Sequence, residues 1–553
     1  MIKQNQRNKL LLDIIEKNEN TEYGRKFHFD YLRTVDGFRF NVPLTKYRDV
    51  QPLIELTTRI GESKIYAEDK LSSYALTSGT SEINHFVPCT ERHISSYTKE
   101  FLKILKYGNG DKVVLFSSIP HEIIYFDQAK LDTITGTVLQ KIRPELKKYH
   151  ITTPETLLYV KEHYDMLYYR TLFALRSSQV DEIIAPFSWN VISMVYCIIE
   201  RHDDFIHDLR TGEITFDKYI SDNLKSELQS AFSSSTDRAD LLEKIFENDD
   251  TSELLIKIWP KLKRIVAAGT GRFEIYKYNL KPFIGDVEYS NGFLASSEAI
   301  VGCALPGTDI YKMYEGNAYL EFLPVESASK ETVLFDEVEI GKEYVVYVTN
   351  YSGLYRYKIG DIVEITDVKD GIPYFRYSRR TNEIISEATV YQAIKAISKE
   401  FGMNIRDYCY EVVSDTGNIL IYLETEETDK VNPDDIVKHF PLELKVCDVK
   451  YIPVGAQYRY KCLRGINGNM ASDQLKPIRL LDSNEKKEFF EFSQGLLEFY
   501  SEKLHKFLID EHLNELIESK YYKDFDDENK AKGTANGITY DNTACGIGYV
   551  LGV

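Results

Sequence analysis

Residues 347–361 read Tyr-Val-Thr-Asn-Tyr-Ser-Gly-Leu-Tyr-Arg-Tyr-Lys-Ile-Gly-Asp, and this stretch decides the fold. Val346, Tyr347 and Val348 form a β-branched and aromatic run that predicts a strand. Asn350, Ser352 and Gly353 break it, and a second short run ends on Gly360 and Asp361. An acidic residue just past a strand and a glycine is placed to accept hydrogen bonds from vicinal hydroxyls, as on a ribose. The glycine lets such a ligand approach the backbone. Read alone, the same residues also describe a tight hairpin with Asp361 capping its turn.

Two other segments carry the same kind of chemistry. Thr77, Ser78, Gly79, Thr80 and Ser81 follow a predicted strand, Ser73 to Leu76, and place four hydroxyls around a glycine. Hydroxyl and backbone donors in that arrangement suit phosphate oxygens, and a Ser/Thr-rich turn is the competing reading. No Gly-Lys-Ser/Thr follows, so this is not a Walker loop. In Leu294-Ala-Ser-Ser-Glu298, small residues admit a ligand and the carboxylate of Glu298 can hold a magnesium ion between phosphate oxygens.

The 553 residues predict two or three domains, and the 43% apolar fraction supports large cores. A net charge of -18 argues against nucleic-acid binding. The seven cysteines form no Cys-x-x-Cys pair, which predicts reduced, buried thiols in a reducing compartment. The N-terminus lacks a secretory core and no apolar run spans a bilayer, so a cytoplasmic protein without a membrane partner is expected.

Leu10, Leu11, Ile14 and Ile15 predict a helix over 2–17, and 155–176 reads as one amphipathic helix, followed by a buried helix at 191–199. Strands are expected at 113–116, 264–268, 274–278, 318–322, 344–348 and 362–365. The predicted class is α/β: a large layered N-terminal domain over 1–377, then a smaller, mobile α+β domain over 378–520 and a poorly ordered tail over 521–553. In the smaller domain a helix is expected at 389–400, strands at 408–413, 418–424 and 448–453, and a short helix near 433–440. Asp482 to Glu485 has the spacing of a capping box that starts a further long helix.

In this order, the three segments and their flanks resemble the Gretchen Hagen auxin-responsive acyl acid-amido synthetase family, part of the adenylate-forming superfamily of acyl-CoA synthetases, adenylation domains and luciferases. The resemblance covers roughly residues 6–480. Asn18-Glu-Asn-Thr-Glu-Tyr-Gly24, Phe40-Asn-Val-Pro-Leu-Thr-Lys-Tyr47, Ile258-Trp-Pro-Lys-Leu-Lys263 and Ala318-Tyr-Leu-Glu-Phe-Leu-Pro324 are similar to its connecting segments. The resemblance implies a two-step ligase that uses ATP and Mg2+ to adenylate a small carboxylic acid and then forms an amide with an amine, an amino acid. It implies Thr77 to Ser81 as the phosphate loop, Ser297 and Glu298 beside the adenylate and its magnesium, Tyr351 near the nucleotide and Asp361 on the ribose. Arg380 and Asn382 match the hinge. Gln474-Leu-Lys-Pro-Ile-Arg479 is similar to the run that carries the mobile catalytic lysine, here Lys476.

There are departures. Glu82 and His85 stand where a glycine and a lysine are expected after the phosphate loop, and Ser386-Glu387-Ala388 replaces an acidic-lysine pair after the hinge. His85 and Glu82 leave a nucleotide-binding pseudo-ligase open, and because the mobile domain chooses the second nucleophile, an adenylate-dependent thioester ligase stays open as well. The acyl pocket is expected to draw on 155–200 and the strands before Ser296, where Tyr, Phe and Leu favour an apolar or aromatic acid. Cys545-Gly-Ile-Gly548 resembles the start of class II amidotransferases, but the cysteine is internal and is read as coincidence or a fusion remnant.

Overall fold

Leu11, Ile14 and Ile15 lie on one face of α1 (Ile2–Lys17) and are fully buried in a cluster with Phe29, Phe38 and Tyr355. The computed structural model describes residues 2–491 apart from 61–63, 77–84, 108–112, 117–118, 121–123, 127–128, 147, 161–165, 217–219, 249, 327–330, 428–430 and 468–473. The expected phosphate loop and tail, with Cys545, therefore lie outside the described residues. β1 (Leu71–Leu76) and β2 (Phe86–Thr90) pair antiparallel on either side of residues 77–84, and α2 (Glu91–Tyr107) begins where β2 ends. β1 also runs parallel to Ala129–Asp132.

A second sheet is parallel. β3 (Val113–Leu115), β4 (Glu182–Phe187), β5 (Arg264–Ala268) and β6 (Glu288–Ser290) lie in the order β6-β5-β4-β3. Continuous apolar runs such as Ile265-Val266-Ala267 suit strands covered on both faces. α3 (Ser188–Glu200) follows β4, and α4 (Glu274–Ile284) follows β5 after a turn at Gly271–Phe273.

The third sheet carries the opening stretch. β7 (Phe293–Ala295), β8 (Ile300–Ala304), β9 (Tyr311–Met313), β10 (Ala318–Pro324), β11 (Glu343–Asn350), β12 (Tyr357–Lys369) and β13 (Ile372–Arg380) are antiparallel in the order β7-β8-β9-β13-β12-β11-β10. β13 runs on through Arg380, past the expected domain edge at 377. The smaller α+β segment follows: α5 (Glu387–Phe401), the sheet β14 (Asp407–Val412), β15 (Ile419–Glu424) and β16 (Val446–Ile452), then α6 (Ala456–Asn467) and α7 (Asn484–Glu491).

Three local expectations change. Residues 274–278 are helix, not strand: Ile275, Tyr276, Leu280 and Ile284 are all buried, and this longer spacing is helical although Glu-Ile-Tyr-Lys-Tyr alternates over five residues. The single helix over 155–176 is instead a one-turn helix at Glu155–Leu158, a strand Tyr159–Val160 beside Ile119–Pro120, and a helix Leu167–Leu175 in which every residue after Leu167 is buried. At 482–485 the cap is Ser483, whose Oγ accepts from Lys486 N at 3.3 Å, while Asp482 pairs with the Lys486 ammonium at 2.5 Å. Among the described residues no helix is long and apolar enough to cross a membrane.

Candidate active site

Asp361 and Arg380 face each other across β12 and β13. Arg380 Nε lies 3.6 Å from Asp361 Oδ1, and Arg380 Nη2 donates to the Ile359 carbonyl at 2.8 Å. Asp361 is the main cause holding the Arg380 guanidinium above its ordinary pKa. Gly360 has φ +89, and a Cβ there would stand 3.2 Å from Arg380 Nη2, so glycine meets both the backbone and the close approach.

The Ser296–Glu298 turn joins β7 to β8 and is gripped through its carbonyls. His93 Nε2 donates to Ser297 O at 2.9 Å, Tyr97 Oη donates to Ser296 O at 2.5 Å, and Asn350 Nδ2 donates to Glu298 O at 2.8 Å. Both rings come from α2, four residues apart on one helix face. Burial pushes the Glu298 carboxyl above the ordinary carboxylate range; the charge of Arg380 opposes this and that of Asp361 adds to it. Glu298 therefore belongs to the same charged group as the Asp361–Arg380 pair.

Burial also pushes His93 down to about 4, so the ring is neutral at neutral pH and the carbonyl it meets assigns the proton to Nε2. A histidine depressed in the folded state contributes stability that is present above its unfolded pKa of 6.5 and lost as pH falls toward 4. His93→Phe is expected to lower stability at pH 7 by about 1–3 kcal/mol, since Ser297 O loses its donor. It should also remove part of the decline between pH 6.5 and 4, as read by denaturant unfolding at each pH.

The Tyr351 side chain meets α1 and α2. Its hydroxyl donates to Asp13 Oδ2 of α1 at 2.9 Å, and the Arg92 guanidinium lies 4.6 Å from its ring centroid. The aromatic residue at the charged group is Tyr357, fully engaged at the start of β12. Burial pushes its hydroxyl far above the ordinary value, with Glu298 and Tyr47 adding and Arg380 opposing. Tyr47 in turn stacks on His85, ring centroids 3.7 Å apart. Burial and then Arg380 hold His85 below its ordinary pKa, so it stands at this group uncharged at neutral pH.

Lys476 comes from the smaller domain. Burial, then the charges of Arg272 and Arg380, push its ammonium down to about 8, while Asp361 and Glu387 oppose. Arg272, Asn382, Glu387, Arg464 and Lys476 line one cleft. Arg272 pairs with Glu387 at 3.2 Å, so the residue at the departure from the expected acidic-lysine pair ties α5 to the turn after β5. Ser386 caps α5, accepting from Thr389 N at 3.2 Å. Thus Glu298 and Lys476 each lie in the field of the Asp361–Arg380 pair, Ser297 supplies backbone next to Glu298, and the Tyr351 hydroxyl turns to α1.

Sequence reasoning missed His93, Tyr97, Tyr357 and Arg272. His93 and Tyr97 had a readable signal, being four apart just past the hydroxyl-rich loop. Arg272 also had one, since it follows Gly269-Thr-Gly271 at the carboxyl end of a parallel strand, where such sheets bind ligands.

Comparison with known proteins identifies the family. Residues 3–289 match the GH3 family N-terminal domain and 311–380 the GH3 family central domain. The chain is 25% identical over 487 residues to the Arabidopsis thaliana indole-3-acetic acid-amido synthetase GH3.4, covering 79% of each. It is 23% identical over 531 residues to the 4-substituted benzoates-glutamate ligase GH3.12 of the same plant, covering 88% of this chain and 90% of that protein. The GH3.15 acyl acid amido synthetase in complex with 2,4-DB superposes with a TM-score of 0.76 at 20% identity, over 90% of this chain and 93% of that one. A 2-hydroxyisobutyryl-CoA ligase in the postadenylation state gives 0.51 at 11% identity, over 90% and 92%. The fold is thus that of adenylate-forming enzymes, and the chain belongs to the GH3 family.

Proposed function

We propose that this protein is an ATP-dependent ligase that adenylates a carboxylic acid and transfers the acyl group to an amine, an amino acid, forming an amide. One observation carries this reading: Lys476, from the smaller domain, lines a cleft with Arg272 of the large one and lies in the field of Arg380 and Asp361. Relatives over most of the chain are named as amido synthetases and an acid–glutamate ligase.

In the first step Asp361 accepts hydrogen bonds from the ribose hydroxyls, and Arg380 holds that carboxylate in place. The acid's carboxylate oxygen attacks the α-phosphorus, the bond to the β-phosphate oxygen breaks, and pyrophosphate leaves. Lys476, as ammonium, stabilises the charge that develops on the α-phosphate. Thr77 to Ser81 are assigned to the leaving phosphates. Among the described residues no three His, Cys, Asp or Glu side chains cluster to cage a metal, and no cation stands within ion-pair distance of the buried Glu298. A magnesium ion would accordingly be held by Glu298 together with nucleotide phosphate oxygens, neutralising charge there. In the second step the amine nitrogen attacks the acyl carbon, AMP departs, and the nitrogen gives up its proton to solvent.

We assign the second step to a turn of the smaller domain about residues 380–386. The contacts it would exchange include Arg406–Glu200 at 2.7 Å, Tyr276 Oη donating to Asp407 Oδ2 at 2.5 Å, and Asn279 Nδ2 donating to Ile405 O at 3.0 Å. The acid is assigned as apolar or aromatic because the Phe187 and Phe273 rings stack, 4.2 Å apart, at the carboxyl ends of β4 and β5. The reducing cytoplasm is the assigned compartment, which suits free thiols at Cys89, Cys197, Cys303, Cys409 and Cys447.

The test is exchange of labelled pyrophosphate into ATP, dependent on an acid, across a panel of aryl and alkyl acids, with products identified by mass spectrometry. Amide products support the reading, thioesters alone would replace it, and nucleotide binding with no exchange from folded protein would point to a pseudo-ligase. Asp361→Ala is expected to weaken ATP binding about 10- to 100-fold, measured by calorimetry, since charge-assisted hydrogen bonds are lost.

A further inference from the structure

We infer that Arg464 and Gln457, both on α6, position Lys476 for adenylation. The inference rests on the reading of Lys476 given above. Lys476 lies outside any helix or strand and precedes Pro477, which confines it to extended backbone and withholds an N–H from the next peptide. The direction of its side chain then depends on what holds the main chain around it.

α6 supplies that hold. Arg464 Nη1 donates to the carbonyl of Lys476 itself at 2.9 Å. Gln457 clamps both polar groups of Ile478: its Nε2 donates to Ile478 O at 2.8 Å, and its Oε1 accepts from Ile478 N at 3.3 Å. Gln457 and Arg464 are seven residues apart, two turns along one helix face. The start of α6 is anchored by the buried Glu424, which accepts from Gly455 N at 2.9 Å and Gln457 N at 3.0 Å. On the other side β14 takes over, with Tyr410 N donating to Arg479 O at 2.6 Å and Leu481 N to Tyr410 O at 2.8 Å.

Arg464 is the unusual member. It is 3% exposed, its Nε has no hydrogen-bond partner, and no carboxylate pairs with it among the described residues. Burial and the nearby Arg272 hold its pKa below the ordinary arginine value. A buried guanidinium without an acid is costly, and a packing role alone would be met by methionine. What the guanidinium provides is a donor aimed at the one carbonyl that fixes Lys476. It also adds positive charge to a cleft wall already carrying Arg272 and Lys476. The charged groups facing Lys476 are Arg272 from the turn after β5, Asp361 from β12, Arg380 from β13 and Glu387 from α5.

The test is a double-mutant cycle on the full-length enzyme using Arg464→Met, Lys476→Ala and the pair, with Arg464→Lys and Gln457→Leu alongside. Arg464→Met is expected to lower kcat of pyrophosphate exchange about tenfold with KM for ATP little changed. Arg464→Lys should recover part of the loss, and Gln457→Leu should reduce kcat in the same direction. Acyl transfer to the amine from preformed acyl-adenylate should stay at the wild-type rate, which a general loss of structure would not allow. In the pair, the loss should be no greater than in Lys476→Ala alone. Additive losses, a wild-type kcat in both Arg464→Met and Gln457→Leu, or equal losses in both half-reactions would overturn positioning while leaving Lys476 catalytic. If Arg464→Met does not fold, Arg464→Lys and Gln457→Leu decide on the same readouts. Unchanged exchange in Lys476→Ala would overturn both readings.

Discussion

Lys476→Ala is expected to slow acid-dependent pyrophosphate exchange by about 10²–10³-fold while ATP binding changes little. That is the scale on which a preorganised donor to developing charge acts. The lysine is half-buried, and desolvation together with Arg272 and Arg380 pushes its ammonium down to about 8. Only the protonated form stabilises the α-phosphate, so the exchange rate at low ATP should fall as pH rises through about 8. Bound nucleotide adds negative charge and moves that limb to higher pH, so the limb measured at saturating ATP should lie above the one at low ATP. Lys476→Arg should abolish the limb altogether, because a guanidinium stays charged. Wild-type exchange in Lys476→Ala would show that another group meets the phosphate.

Arg356→Met is expected to destabilise the large domain by about 3–5 kcal/mol, as when one partner of a buried ion pair is removed. Arg356 meets Glu321 on β10 with Nη2 at 2.9 Å and Nε at 3.1 and 3.2 Å. It also donates to Arg39 O at 2.6 Å, Val42 O at 2.8 Å and Thr332 Oγ1 at 3.0 Å. Its own carbonyl accepts from Thr45 N at 2.9 Å, and its φ of +46 is a left-handed value that a non-glycine residue adopts only when the surroundings enforce it. This one residue therefore sets where β12 begins, and β12 carries Tyr357 and Asp361. Urea unfolding is the measurement. A double variant Arg356→Met/Glu321→Met should be less destabilised than Arg356→Met, because no carboxylate is left buried with only Arg39 Nε at 3.7 Å and the Thr332 hydroxyl at 2.6 Å to hold it. A loss below about 1 kcal/mol in the single variant would mean that water reaches Glu321.

Much of the candidate site rests on local signals. Gly360-Asp361 at the end of an apolar run marks a ligand-facing turn in any fold, and Ser297-Glu298 after small residues marks another. Lys476 was found through the resemblance of Gln474 to Arg479, since a lone lysine before a proline carries no signal of its own. Tyr351 rests on the resemblance too: four tyrosines stand between 347 and 357, and nothing in their spacing says which one faces the charged group. In the structure Tyr357 lies in the field of Glu298 and Arg380, while α1 brings Asp13 to the Tyr351 hydroxyl.

By itself the sequence determined the class of the fold and the chemical types present. Period-two runs and turn residues act over a few positions and need no distant partner. Only the tertiary structure decided that 274–278 is helix, because the apolar face that makes it so extends to Ile284 and is read by packing against α3. It alone decided that His93 grips Ser297, more than two hundred residues away, and that Lys476 titrates near 8. Burial and the field of Arg272, Arg380 and Asp361 depend on which groups end up adjacent, and the chain order holds no measure of that distance.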